Sequence, residues 1–271
     1  MTTIAPQNPV GTIAPRIPIT EPAAIPLRRI VAVELRKSFD TRAGFWLLTS
    51  IGITSLLATG LVILFAPAEQ FSYSTFTLAV GYPISVILPM IAILSVTAEW
   101  SQRSGLTTFT LVPHRGRVVL AKAIAVVSIA IVSMPVAFLV GALGNIVGSA
   151  ITDAPAVWDQ RPVDLGYLLL GNTLLVMVGF MLGTLIRASA GALVTYFVYA
   201  FVAPTLLTVL AINQAWFRDW QPWIDPNYSQ DALFQGGFTT QQWSQLAVTS
   251  AVWLVVPLSV GVLGLLRSEV K

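Results

Sequence analysis

The chain has 271 residues, 55% of them hydrophobic and only 10% charged, with a net charge of +3 and a mean hydropathy of +0.78. A water-soluble domain carries about 25% charged residues, so this composition excludes a soluble enzyme, a disordered chain and a nucleic-acid binder. Cysteine is absent and His114 is the one histidine, which removes disulfide scaffolds, thiolate metal sites and histidine acid–base dyads.

Residues 1–26 contain Pro6, Pro9, Pro15, Pro18, Pro22 and Pro26 and no apolar run. They read as a Pro-rich flexible tail, not as a signal peptide, which needs a basic start and an apolar stretch. Over 27–43, Leu27, Ile30, Val31, Leu35 and Phe39 recur at three- and four-residue steps, with Arg28, Arg29, Arg36 and Lys37 elsewhere on the wheel. That pattern predicts an amphipathic interfacial helix with its cations near anionic lipid. It serves either as a topology anchor or as a docking surface for a cytoplasmic partner, Arg36 and Lys37 included.

Six apolar runs follow within residues 44–271, at about 45–66, 76–98, 118–141, 165–186, 190–212 and 246–266. Each is long enough to cross a hydrocarbon core of about 30 Å as a helix. Lys122 falls one turn inside the third run, where a long stem snorkels to the interface. Arg187 and a few small residues separate the fourth and fifth runs, so a tight antiparallel hairpin is expected. Thr239 and Gln242 before the sixth run fit a capping box. The segment 213–245 holds Trp216, Trp220, Trp223 and Trp243. Indoles favour the headgroup level, so it reads as interfacial or re-entrant helices.

Charge sets the orientation. Of the 15 basic residues, 13 fall in the tail, in 28–42, in 103–122, at Arg187 and after the last run, leaving only Arg161 and Arg218 opposite. Those opposite loops carry seven acids: Glu69, Asp153, Asp159, Asp164, Asp219, Asp225 and Asp231. By the positive-inside rule both termini are cytoplasmic, in a cytoplasmic membrane, since outer-membrane spans are strands. The fold class is therefore an all-α integral membrane protein with six transmembrane helices.

Between the second and third runs lies Glu99-Trp-Ser-Gln-Arg-Ser-Gly-Leu-Thr-Thr-Phe-Thr-Leu-Val-Pro-His-Arg. Charged at its start, apolar in its middle and broken by Pro113, it suits a short helix over about 99–112 across the inner face. Glu99 would stand at that helix start, where the dipole favours a carboxylate.

The acid closing the second span, the Arg/Gly/Thr stretch, Leu-x-Pro-x-Arg and the lysine just inside the third span together resemble ABC-2 type permeases. These are the six-span membrane subunits of type V ABC exporters. The likeness extends to the amphipathic helix and the long outer loop, over about residues 27–271. It implies that 99–112 is a coupling helix docking on an ATPase, with Glu99, Arg103, Gly105, Thr107, Pro113 and Arg115 at matching positions. Leu106 intervenes where family members often have Gly followed directly by Thr. The resemblance also implies a second permease, identical or homologous, and separate ATPase subunits that bind ATP and magnesium. It implies a route along the second and fifth spans, where Tyr82, Ser85, Tyr196 and Tyr199 fall. An apolar and aromatic route suits an amphipathic, drug-like or lipid-like cargo.

The absence of G-x-x-x-x-G-K-[ST] agrees with that division of labour, since such a loop is what cradles nucleotide phosphates. No cofactor, metal or catalytic set is expected in this chain. Two other readings stand beside the exporter subunit. An integral-membrane enzyme would have to use the outer Asp219, Asp225 and Asp231, and an assembly or scaffold protein would recruit partners through its tail.

Overall fold

A computed structural model describes residues 25–101, 115–153 and 155–267, and every regular element among them is helical. We number the helices α1 (Leu27–Asp40), α2 (Arg42–Phe65), α3 (Tyr73–Ser101), α4 (Arg115–Thr152) and α5 (Pro162–Ile186). They continue as α6 (Ser189–Asn213), α7 (Ala215–Ile224), α8 (Pro226–Gln235) and α9 (Thr240–Arg267). Six of them, α2 to α6 and α9, are long and apolar enough to cross a membrane.

Helix α3 is the centre of the bundle. Its Val80, Ile84, Leu88, Ala92 and Val96 pack against Val126, Ala130, Met134 and Ala137 of α4 and Leu168, Val176 and Phe180 of α5. Lipid tails are as apolar as leucine, so helices in a bilayer gain from close packing more than from burial itself. Small residues allow that closeness here. Gly179 of α5 lies against the Pro89 backbone of α3, and Gly183 lies against Ile93 and Val96.

The same device explains the length of α4. The sequence predicts a third span over 118–141, but the helix runs 38 residues to Thr152. Gly141, Gly144 and Gly148 do not end it. They form one face that meets Thr77, Phe76 and Phe71 near the start of α3.

The first two helices meet at Thr41, earlier than the 27–43 helix expected from the sequence. Thr41 is extended, and its hydroxyl oxygen accepts from the Gly44 amide at 3.1 Å, capping α2. A side chain on Gly44 would collide with the Ser38 carbonyl, so this corner needs glycine. The α5–α6 hairpin turns on Arg187, which adopts a left-handed φ of 56°, and on extended Ala188. The capping box before α9 is present: Thr239 oxygen accepts from Gln242 N, and Gln242 accepts from Thr239 N at 2.8 Å.

Two helices widen into π turns just before a proline. In α6 the turn covers Val198–Val202 ahead of Pro204, and in α9 it covers Ala251–Val255 ahead of Pro257. Proline has no N–H and its ring crowds the preceding turn, which a wider turn relieves. The contact of α5 with α3 supplies a test. Gly179→Leu should lower stability by about 1–3 kcal/mol, the scale of overpacking, read as a lower thermal midpoint in detergent. Gly60→Ala, at a position with open space around it, should leave the midpoint unchanged or raise it slightly.

Candidate functional site

The bundle has two chemically different ends. One end gathers the start of α2, the end of α3, the start of α4, the α5–α6 turn and the end of α9. It is marked by the hydrogen bond between the Thr97 and Ser189 hydroxyls at 2.8 Å. Helix α1 is fastened to this end by charge. Its inward face carries Ile30, Glu34 and Ser38 at four-residue steps, all buried. Glu34 accepts from Lys122 Nζ of α4 at 2.6 Å, and both side chains are about 5–6% exposed.

Lys122 also donates to the Ser95 carbonyl of α3 at 2.9 Å, so a single ammonium ties α1, α3 and α4 together. This differs from the snorkelling expected for Lys122: a carboxylate on α1 comes to it, and it has no need to reach out. Lys37 donates to the other Glu34 oxygen at 2.7 Å. Burial alone would raise the Glu34 carboxyl, but the charges and hydrogen bonds of Lys122 and Lys37 outweigh it and hold its pKa below the usual value. Nearby, Arg117 of α4 donates to the Ile25 carbonyl at 2.7 Å, holding the approach to α1.

Of the coupling residues named from the sequence, two fall on the helices that the latch joins. Glu99 lies in the last turn of α3, and Arg115 opens α4. Arg103, Gly105, Thr107 and Pro113 lie outside the described residues. Arg36, two residues beyond the buried carboxylate, is exposed and paired with Asp40 at 2.9 Å.

At the other end, α7 and α8 fold over the bundle. Phe234 of α8 caps Gly171 of α5, and Trp253 of the α9 π turn donates to the Ile224 carbonyl at 2.8 Å. Beneath them lies a cavity of about 460 Å³ between α3, α5, α6, α7 and α8. Tyr82 and Ser85 of α3 line it, as do Asn172 of α5, Pro204 of α6, and Asp225, Gln230 and Asp231 of the covering segment.

Its polar groups are set by local rules. Asp225 precedes Pro226 and caps α8, accepting from the Asn227 amide at 2.9 Å, the Tyr228 amide at 3.3 Å and Gln221 Nε2 at 3.1 Å. Asn172 uses its Nδ2 on the Leu168 carbonyl at 3.0 Å, which leaves its buried Oδ1 without a partner. Gln230 Oε1 is likewise buried and unpartnered.

The four route residues named from the sequence divide. Tyr82 is exposed, and Ser85 borders the cavity. Tyr196 is 1% exposed and points at α3, where its hydroxyl donates to the Ser85 carbonyl at 3.0 Å. Pro89 has no N–H to offer that carbonyl, so Tyr196 supplies the missing donor. Tyr199 sits in the α6 π turn, its hydroxyl buried and unpartnered and its carbonyl accepting from Asn227 Nδ2 at 3.4 Å.

Sequence reasoning passed over Glu34, Asn172 and Gln230. Asn172 stands out as a lone amide in an apolar run, and Asp225-Pro226 is a recognisable helix start. Glu34 carries no local signal. Its partner is 88 residues away.

The fold defines an all-helical, multi-pass membrane protein with a charged latch at one end and a covered polar cavity at the other. Among the described residues, no group of three or more His, Cys, Asp or Glu is placed to hold a metal ion. No protein-family model and no curated protein matches the chain.

The latch can be tested directly. Glu34→Gln leaves Lys122 buried without its counter-charge and should cost about 3–5 kcal/mol, seen as a lower thermal midpoint at pH 7. The double variant Glu34→Gln/Lys122→Met should recover part of that loss. Because the folded pKa of Glu34 is depressed, its contribution is complete above the usual carboxylate value and is lost as pH falls through the lowered one. The gap between native protein and Glu34→Gln should therefore close on acidification.

Proposed function

We propose that this chain is the membrane-spanning permease subunit of an ATP-driven exporter of the ABC-2 type. It works beside a second permease, identical or homologous, and two separate ATPase subunits that bind ATP and magnesium. In this reading both termini and the latch face the cytoplasm, and the membrane is the cytoplasmic one. Segment 99–112 docks on the ATPase, with Arg36 and Lys37 of α1 beside it.

The observation that carries the reading is the latch. Lys122 links α1 to both helices that flank the proposed coupling segment. A push delivered between the end of α3 and the start of α4 therefore reaches α1 as well. Interfaces of this kind move as packed units because a dense core does not deform continuously. The prolines of α3, Pro83 and Pro89, and the π turn of α6 give those two helices points at which to bend. Helices α2 and α6 bury very little of themselves within the chain, which suits a face shared with lipid and a second permease.

The cargo in this reading is an amphipathic, drug-like or lipid-like molecule moving along α3 and α6 past Tyr82, Ser85, Tyr196 and Tyr199. Affinity purification from native membranes in mild detergent tests the proposal. A co-purifying polypeptide containing G-x-x-x-x-G-K-[ST], with ATPase activity in the complex, is the expected result. Glu99→Ala combined with Arg103→Ala should weaken that association or uncouple ATP hydrolysis from transport. A chain that purifies without any such ATPase, or a complex indifferent to the double substitution, would remove the exporter reading or the coupling assignment respectively.

A further inference from the structure

The cavity under α7 and α8 has charged groups of one sign only in its lining. Asp225 is 2% exposed, yet among the described residues no cationic side chain pairs with it. Its three hydrogen-bond donors are neutral: two backbone amides and the Gln221 side chain. A buried carboxylate without a counter-charge is expensive to maintain. Asp231, one and a half turns further along α8, adds a second carboxylate to the lining, and no lysine or arginine is among the lining residues.

Two of the three unpartnered atoms in the lining have the same character; the third, the Thr77 hydroxyl, can donate as well as accept. Asn172 and Gln230 are 2% and 3% exposed, and each lacks a partner at its amide oxygen, an acceptor. The Asn172 assignment is secured by its own geometry, because its Nδ2 is engaged by the Leu168 carbonyl. Two carboxylates and two idle acceptors call for a donor-rich, positively charged group. The rest of the lining mixes neutral polar groups such as Thr77, Ser85 and Thr208 with apolar and aromatic ones, Tyr82, Tyr228, Phe234 and Met134 among them. Aromatic faces attract cations, most strongly where water is excluded.

We propose that this cavity binds an amphipathic organic cation, with its charged centre against Asp225 and its apolar body against Tyr82 and Phe234. A bare metal ion is a poorer match, since no cluster of ligating side chains is present among the described residues. As the class of cargo this rests on the exporter reading, but as a binding site it does not. The measurement is accordingly made on the full chain alone, without nucleotide or ATPase.

Equilibrium dialysis of the purified chain in a neutral detergent, with tetraphenylphosphonium as probe and its anionic isostere tetraphenylborate as control, tests the assignment. Tetraphenylphosphonium should bind saturably, and tetraphenylborate should not. Asp225→Asn keeps a good helix-capping side chain while removing the charge, so the fold is retained. It should weaken tetraphenylphosphonium by about tenfold or more, the scale of one charge-assisted contact. Asn172→Leu should weaken it by a smaller factor. Equal binding of both ions, no saturable binding of either, or an affinity unchanged by Asp225→Asn would each overturn the proposal. If the cation binds as expected but no ATPase co-purifies, the site stands and the exporter reading falls.

Discussion

A salt bridge sealed among apolar helices is the constraint on which one half of this molecule is organised. Glu34 and Lys122 are both almost fully buried, and neither charge is tolerable there without the other. The pairing places an amphipathic helix against α4 in one rotation and one register. It also makes the positions of α1, α3 and α4 depend on each other, since the same ammonium holds the Ser95 carbonyl. An apolar face alone would leave α1 free to slide along the bundle. Hydrophobic contact is non-directional, whereas a buried ion pair permits few geometries.

The bundle is dense where it is static and irregular where its helices can bend. Gly179 and Gly183 bring α5 against the backbone of α3. Against that rigid pair stand the prolines of α3 and the π turn of α6, and the defects at Pro89 and at the π turn are each repaired by a side chain from elsewhere. Tyr196 serves the Ser85 carbonyl deprived by Pro89. Asn227, in the covering helix α8, serves the Tyr199 carbonyl in the π turn ahead of Pro204. Within an apolar medium an unsatisfied carbonyl is costly, so these repairs couple the bends of α3 and α6 to each other and to the cover. The cavity lies at that junction. Its lining includes Ser85, Pro204 and Asn227.

The two ends also differ in how they handle charge. The end that carries the latch is basic, and its buried Glu34 is neutralised twice, by Lys122 and Lys37. The opposite end is acidic, and its buried Asp225 is met only by neutral donors.

Much of this was legible in the residues alone. Composition and run length are enough for six membrane helices, because a bilayer core demands about 20 apolar residues and a soluble surface demands charge. Local chemistry marks the Thr239–Gln242 cap and the hairpin at Arg187, since caps and turns depend on neighbours a few positions apart. The extent of α4 was not legible, because glycine in a helix is a weakness or a contact depending on what packs there, and that is Phe71, Phe76 and Thr77. Glu34 reads as an ordinary polar residue of an amphipathic helix until α4 is laid beside it. Asn172, Asp225 and Gln230 lie up to 58 residues apart in the chain, and only the folding of α8 over α5 makes them one wall. What the sequence by itself determined is the number and kind of helices, since solvent preference is a property of each segment. Which polar groups meet was decided by tertiary structure, because those pairings join segments whose separation no local pattern encodes.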